Sequence, residues 1–198
     1  MNASQVPEEQ LLEWLAPGSP ARRALLAGLG LERNAQVRTC VQEPLIRTGH
    51  LPGDIDIVAW DSMAPERGYA LEAKRLKVSE NTFSTGNISG AGKLAHAEKQ
   101  VRGLSTLGFH CVGLLVFLLV DVHTVAPGQW LASAPAPVHR DIRQRLAGLE
   151  CSTLVIEVNQ PTKRHVFLAG AVGHYWISDP KRSIQQSRVT SVLQGGAF

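Results

Sequence analysis

An α/β fold, with a mixed central β-sheet and helices on both faces, is predicted by three features of this 198-residue chain. Two segments, Asp54 to Trp60 and Tyr69 to Leu76, read as short strands joined by a polar, turn-forming stretch. Cys111 to Val122 is a continuous apolar strand, which must be buried on both faces. Between these, Lys93 to Leu107 carries Leu94, Ala97, Val101 and Leu104 on one helical stripe.

The remaining elements follow in chain order. Glu8 to Leu15 is a helix, with Leu11, Leu12 and Leu15 at helical spacing and acids in the first turn; Pro17, Gly18 and Pro20 end it. Arg22 to Leu31 is a second helix, with Gly28 and Gly30 near its end. Gln36 to Ile46 is extended, and Pro44 marks an edge or bend. His50 to Gly53 is a turn, and Asp61 to Gly68, with Pro65 and Gly68, is a hairpin loop. Ser79 to Gly92 is rich in Ser, Thr, Asn and Gly and is expected to be an exposed, mobile loop. Pro127 to Pro137 is a connection, and Val138 to Leu149 a helix with Arg140, Arg143 and Arg145 on one side. Ser152 to Val158 and His165 to Ala169 are strands, and Ser183 to Phe198 reads as a polar tail. No repeat or change of composition divides the chain, so residues 1–198 are expected to form one domain with its core at about 36–122.

Composition bounds the function. Hydrophobic residues make up 44% and charged residues 19%, as in an ordinary globular protein. A net charge of +3 permits a polyanionic partner without demanding one. Cys40, Cys111 and Cys151 include no CxxC pair, which argues against a disulfide scaffold and a structural zinc site. The N-terminus lacks the basic and apolar regions of a secretory signal, and the Val112 to Val120 run is too short to span a bilayer. A soluble, cytoplasmic protein without a membrane partner is expected, and a homodimer is compatible with the sequence.

The chemistry is concentrated between Pro52 and Lys77, PGDIDIVAWDSMAPERGYALEAKRLK. Alternate side chains of a strand share a face. Asp54 and Asp56 therefore point one way and Ile55 and Ile57 the other, into the core. On the next strand Glu72 and Lys74 share a face while Leu71 and Ala73 face the core. A hairpin makes the two strands neighbours, so Asp56, Glu72 and Lys74 can converge. Two carboxylates at short range repel each other unless a cation lies between them, and oxygen ligands suit Mg²⁺ or Mn²⁺. A lysine beside them can hold a water and stabilise charge developing at a phosphate.

These residues resemble the PD-(D/E)xK phosphodiesterase superfamily, whose fold is called restriction-endonuclease-like. The match is the aspartate of Gly53-Asp54-Ile55-Asp56, then Glu72-Ala73-Lys74 on the following strand, then a helix and an apolar strand, over about residues 36 to 122. The resemblance implies a Mg²⁺- or Mn²⁺-dependent nuclease, an endonuclease acting on DNA in preference to RNA. Asp56, Glu72 and the Ala73 carbonyl would hold the metal, with Glu43 favoured over Glu32 as a further ligand. Either Asp54 or Asp56 can serve as the aspartate; Asp56 lies deeper in the strand and nearer Glu72. Lys74 would position the attacking water. Lys93 and Gln100, seven residues apart on one helix face, correspond to the Lys or Gln that leans over the site in many members. Lys93, Arg75 and Lys77 would contact nucleic acid.

Simpler readings compete. An Asp and a Glu-x-Lys on adjacent strands can be a solvated face with cross-strand ion pairs. Two aspartates in one short strand weaken that reading, because they disfavour the strand without local gain. Ser89 to Lys93, SGAGK, fails as a phosphate loop, since Asn87 replaces the first glycine and Leu94 the final Ser or Thr. The histidines form no metal-spaced pair, and Trp130 and Trp176 are packing residues before they are stacking platforms. The rivals from other classes are a nucleic-acid-binding module of the same fold without turnover, and a protein-interaction domain.

Overall fold

A computed structural model describes residues 6–42, 54–79, 92–121, 151–159, 166–172 and 180–195. The helices are α1 (Glu8–Glu13), α2 (Pro20–Leu29), α3 (Lys93–Leu104) and α4 (Pro180–Gly195). The strands are β1 (Gln36–Gln42), β2 (Asp54–Asp61), β3 (Ala64–Ser79), β4 (Cys111–Asp121), β5 (Ser152–Asn159) and β6 (Val166–Val172). They form one six-stranded sheet in the order β1-β2-β3-β4-β5-β6. The pairs β1–β2, β2–β3 and β5–β6 are antiparallel, and β3–β4 and β4–β5 are parallel. The fold is α/β, with a mixed central sheet flanked by helices. Among the described residues no helix is long and apolar enough to cross a membrane.

β4 explains the layering. Val112, Leu114, Val116 and Leu118 enter a core on one face, with Leu94, Ala97, Val101 and Leu104 of α3 and Val189 and Leu193 of α4. Leu115, Phe117 and Leu119 enter a second core on the other face, with Leu11, Leu12 and Leu15 around α1 and Ala21, Leu25 and Leu26 of α2. Helix α2 is held at both ends. The Ser19 hydroxyl accepts from the Arg22 amide at 3.1 Å, with Pro20 in the first turn. Gly30 closes the helix at φ 68°, a conformation that costs glycine little, and the Leu31 amide reaches back to the Leu26 carbonyl at 2.9 Å.

Several elements differ from the sequence expectation. The stretch expected as a hairpin loop, Asp61 to Gly68, is a tight turn followed by the start of β3, with Asp61 paired to Ala64. The Asp61 carboxylate accepts from the Met63 amide at 2.9 Å and supplies the turn that the Pro and Gly content suggested lay further on. Pro65 is tolerated because β3 meets β4 only from Tyr69 onward, so one side of β3 bears no ladder there. The expected polar tail is helix α4, whose Val189 and Leu193 are buried one turn apart. Two apolar residues are too few to announce a helix in sequence; packing against the sheet supplies what periodicity lacks. Ile55, expected to pack with Ile57, joins Val41 in the α3-side core. Cys40, between the paired positions Thr39 and Val41, has φ 53° and interrupts the regular pleat there. The expected turn at 50–53, most of the loop at 79–92, the connection at 127–137 and the helix at 138–149 lie outside the described residues.

α4 sits close on β3. A Cβ added to Gly68 would lie 2.5 Å from Leu193 Cδ1, so the glycine is what permits the approach. Leu193 is 3% exposed. Leu193→Ala should therefore lower unfolding free energy by about 2–5 kcal/mol, the cost of a core leucine truncation, whereas Arg188→Ala on the exposed side should change it by less than about 0.5 kcal/mol. Urea unfolding of the two variants checks this; equal midpoints would mean that α4 does not dock as described.

Candidate active site

The site is built where β2 and β3 part. Their ladder pairs Ala59 with Tyr69, Val58 with Ala70 and Ile57 with Leu71, and one further step of that register sets Asp56 level with Glu72. There a side chain supplies the link: Asp56 Oδ2 accepts from the Ala73 amide at 2.7 Å. This bond anchors the Asp56 carboxylate between the strands, because an amide left unpaired inside a sheet is costly. Asp56 lies where the alternation of β2 changes: Val58 and Trp60 belong to the α3-side core, and so does Ile55.

Glu72 and Lys74 alternate along β3 with Ala70 and Leu76, which also belong to that core. Their partners on β4 are Leu114 and Val116. Glu72 is only 5% exposed, and its ladder partner Leu114 and its neighbours Leu71 and Ala73 are apolar. Burial of a lone carboxylate is strongly unfavourable. The Lys74 ammonium donates to Glu72 Oε1, and the side chains are 14% and 7% exposed respectively. Two residues along one strand are thus an acid and its own counter-charge. Asp56 adds a second carboxylate, so the three side chains together carry one net negative charge.

The other expected residues are distributed unevenly. Gln100 is on α3, which covers this face, and its Oε1 is buried without a hydrogen-bond partner. Lys93 opens α3 and is exposed. Arg75 belongs to the alternate row of β3, and its guanidinium donates to the Val6 carbonyl, tying the N-terminal segment to the sheet. It is therefore not brought to the Glu72 and Lys74 face. The pKa of Lys77 is lowered first by burial and then by the positive charges of Arg75 and Lys93, which places these cations in one electropositive neighbourhood at the C-terminal end of β3. Asp54 begins β2, but its side chain lies outside the described residues, as does all of Glu43. Glu32 lies in the exposed turn before β1.

Among the described residues no three His, Cys, Asp or Glu side chains converge on a metal position. The donors present are two carboxylates, Asp56 and Glu72, from adjacent strands. Both are hard oxygen ligands, so the set fits Mg²⁺ or Mn²⁺ and not a thiolate- or imidazole-seeking ion. The Ala73 contact seen here is through its amide. That bond was not readable from the sequence, because it joins a side chain to backbone beyond the end of the regular ladder.

No protein-family model matches the chain. No curated protein matches it either. Among solved structures the chain is similar to SfsA of Pyrococcus furiosus in complex with Ca²⁺, at 12% identity and a TM-score of 0.33. The likeness covers 83% of this chain, which spans 61% of the length of that protein. At that level it carries no functional conclusion.

The Asp56 to Ala73 bond has a stability consequence. Asp56→Ala removes the acceptor of a part-buried amide and should cost about 1–3 kcal/mol. Asp56→Asn keeps a carbonyl acceptor and should cost less. Denaturant unfolding without added metal measures both, and an alanine variant as stable as the asparagine one would show that the bond does not support the fold.

Proposed function

We propose that this chain is a divalent-metal-dependent nuclease that hydrolyses phosphodiester bonds in nucleic acid, DNA in preference to RNA, in the cytoplasm. One observation carries the reading: a buried Glu72 is paired with Lys74 on β3, and the Asp56 carboxylate is bonded to the amide of the next residue, Ala73. A solvated ion-pair face would leave Glu72 exposed, and it is not. The PD-(D/E)xK resemblance accounts for the same residues, and the order of two antiparallel strands, helix α3 and a parallel apolar strand supports it.

Asp56 and Glu72 would hold Mg²⁺ or Mn²⁺, and the ion would supply Lewis-acid stabilisation of charge on the phosphate. Lys74 orients the attacking water and stabilises the negative charge that develops as the water oxygen bonds to phosphorus and the ester oxygen leaves. Gln100 offers an acceptor from α3 to hold that water or the substrate. Lys93 attracts the phosphodiester backbone by charge, a salt-dependent and sequence-independent contribution; Lys77 shares the row of Arg75 and lies off the Glu72 and Lys74 face. Arg75, bound to Val6, has a structural task instead.

Plasmid DNA and single-stranded RNA, each incubated with Mg²⁺, Mn²⁺ or EDTA, test the proposal. Cleavage should require the metal, and cleavage in excess EDTA would refute it. Lys74→Ala should lower the single-turnover rate by about 10²-fold or more, the scale of losing one electrostatic stabiliser, with little change in nucleic-acid affinity at a fixed salt concentration. Binding without cleavage under all conditions would mark the chain as a module of this fold that lacks turnover.

A further inference from the structure

We infer that Lys74 is a built-in competitor of the metal: its ammonium is bonded to one carboxylate oxygen of Glu72, and a divalent ion binds Glu72 against that charge. The inference rests on the metal-dependent reading above. It starts from the surroundings of Glu72. The residues alternating with it on the same face are Ala70 and Leu76, and across the ladder lies Leu114. None of them can neutralise a carboxylate. Asp56 carries the same sign and is bonded to the Ala73 amide. A positive charge comes from Lys74, two residues along the strand and bonded to Glu72 Oε1.

A cation approaching these oxygens therefore meets a positive charge already in contact with one of them. A charge at such range changes the affinity of a carboxylate for a proton by about ten- to a thousandfold, and the same electrostatics act on any other cation. Lys74 thus weakens metal binding at the site whose chemistry it serves.

Direct Mn²⁺ binding to the full chain, measured calorimetrically and by the electron paramagnetic resonance signal of free Mn²⁺, tests this without any turnover. Lys74→Met should bind Mn²⁺ about tenfold or more tightly than the unmodified chain, at the lower end of the range expected for losing a neighbouring charge. Lys74→Arg, which keeps the charge, should bind within about threefold of it, and Glu72→Gln should lose most of the affinity. Without metal Lys74→Met should melt at a lower temperature than the unmodified protein, since Glu72 loses the ion pair with Lys74. Saturating Mn²⁺ should raise its melting temperature more than it raises that of the unmodified chain. Lys74→Gln, which can still donate to Glu72, serves the same comparison if Lys74→Met does not fold. Mn²⁺ bound by the unmodified chain as tightly as by the uncharged variants overturns this inference alone. Absence of Mn²⁺ binding in every form overturns the metal-dependent reading, and the inference with it.

Discussion

A strand that is apolar on both faces and bonded in parallel on both edges constrains everything around it. β4 is such a strand, with β3 on one side and β5 on the other. Parallel neighbours cannot be joined by a short turn, so the chain leaving β3 has to travel back along the sheet before it enters β4. α3 makes that return. Its Leu94, Ala97, Val101 and Leu104 cover one row of β4 and, with it, the row of β3 that bears Glu72 and Lys74. The burial of Glu72 is thus a consequence of β4. A charged pair lies beneath a helix because an apolar strand next to it needs that helix.

β3 divides its side chains between two tasks. The row of Glu72 and Lys74 carries charge under α3, while Leu71 and Ala73 pack toward α1 and α2. Arg75 continues the packing row and reaches the Val6 carbonyl, so the N-terminal segment is fixed by a residue adjacent to the one proposed to act on water. Even the backbone of β3 takes part, since the Ala73 amide sets the position of Asp56. Rigid support of this kind, from strands and not from loops, holds reacting groups in register.

Much of this was legible in the sequence because it follows from short-range periodicity. That Glu72 and Lys74 share a face needs only the two-residue repeat of a strand. α3 and β4 were visible because each has many apolar residues with one period. The features that escaped depend on contacts between distant residues or on single bonds. α4 carries two buried apolar residues, and its stability comes from the surface it covers. The hairpin turn moved because one Asp61 bond outweighed Pro65 and Gly68 as turn signals. Ile55 left its expected face where Cys40 breaks the pleat of the neighbouring strand. Arg75, between Lys74 and Lys77 in the sequence, looked like a nucleic-acid contact; nothing local reveals that Val6 takes it. Asp56 could be chosen over Asp54 by depth in the strand, while its bond to Ala73 required the register.

The seat of Leu193 over Gly68 also fixes a sequence of events during synthesis. The two positions are 125 residues apart (193 − 68), and the α3-side core contains both α3 and α4 residues. A ribosome adding about 5–20 residues per second needs roughly 6 to 25 s to pass from one to the other. Throughout that interval the hydrocarbon destined to lie beneath α4 is uncovered on the nascent chain, on the same face of the sheet as the charged pair. The opposite face waits less long, because α1 and α2 are already made when their partners Leu154, Ile156 and Val158 of β5 emerge. Chaperone capture during translation is therefore expected to favour one side of this sheet, and the side that waits is the one proposed to meet nucleic acid.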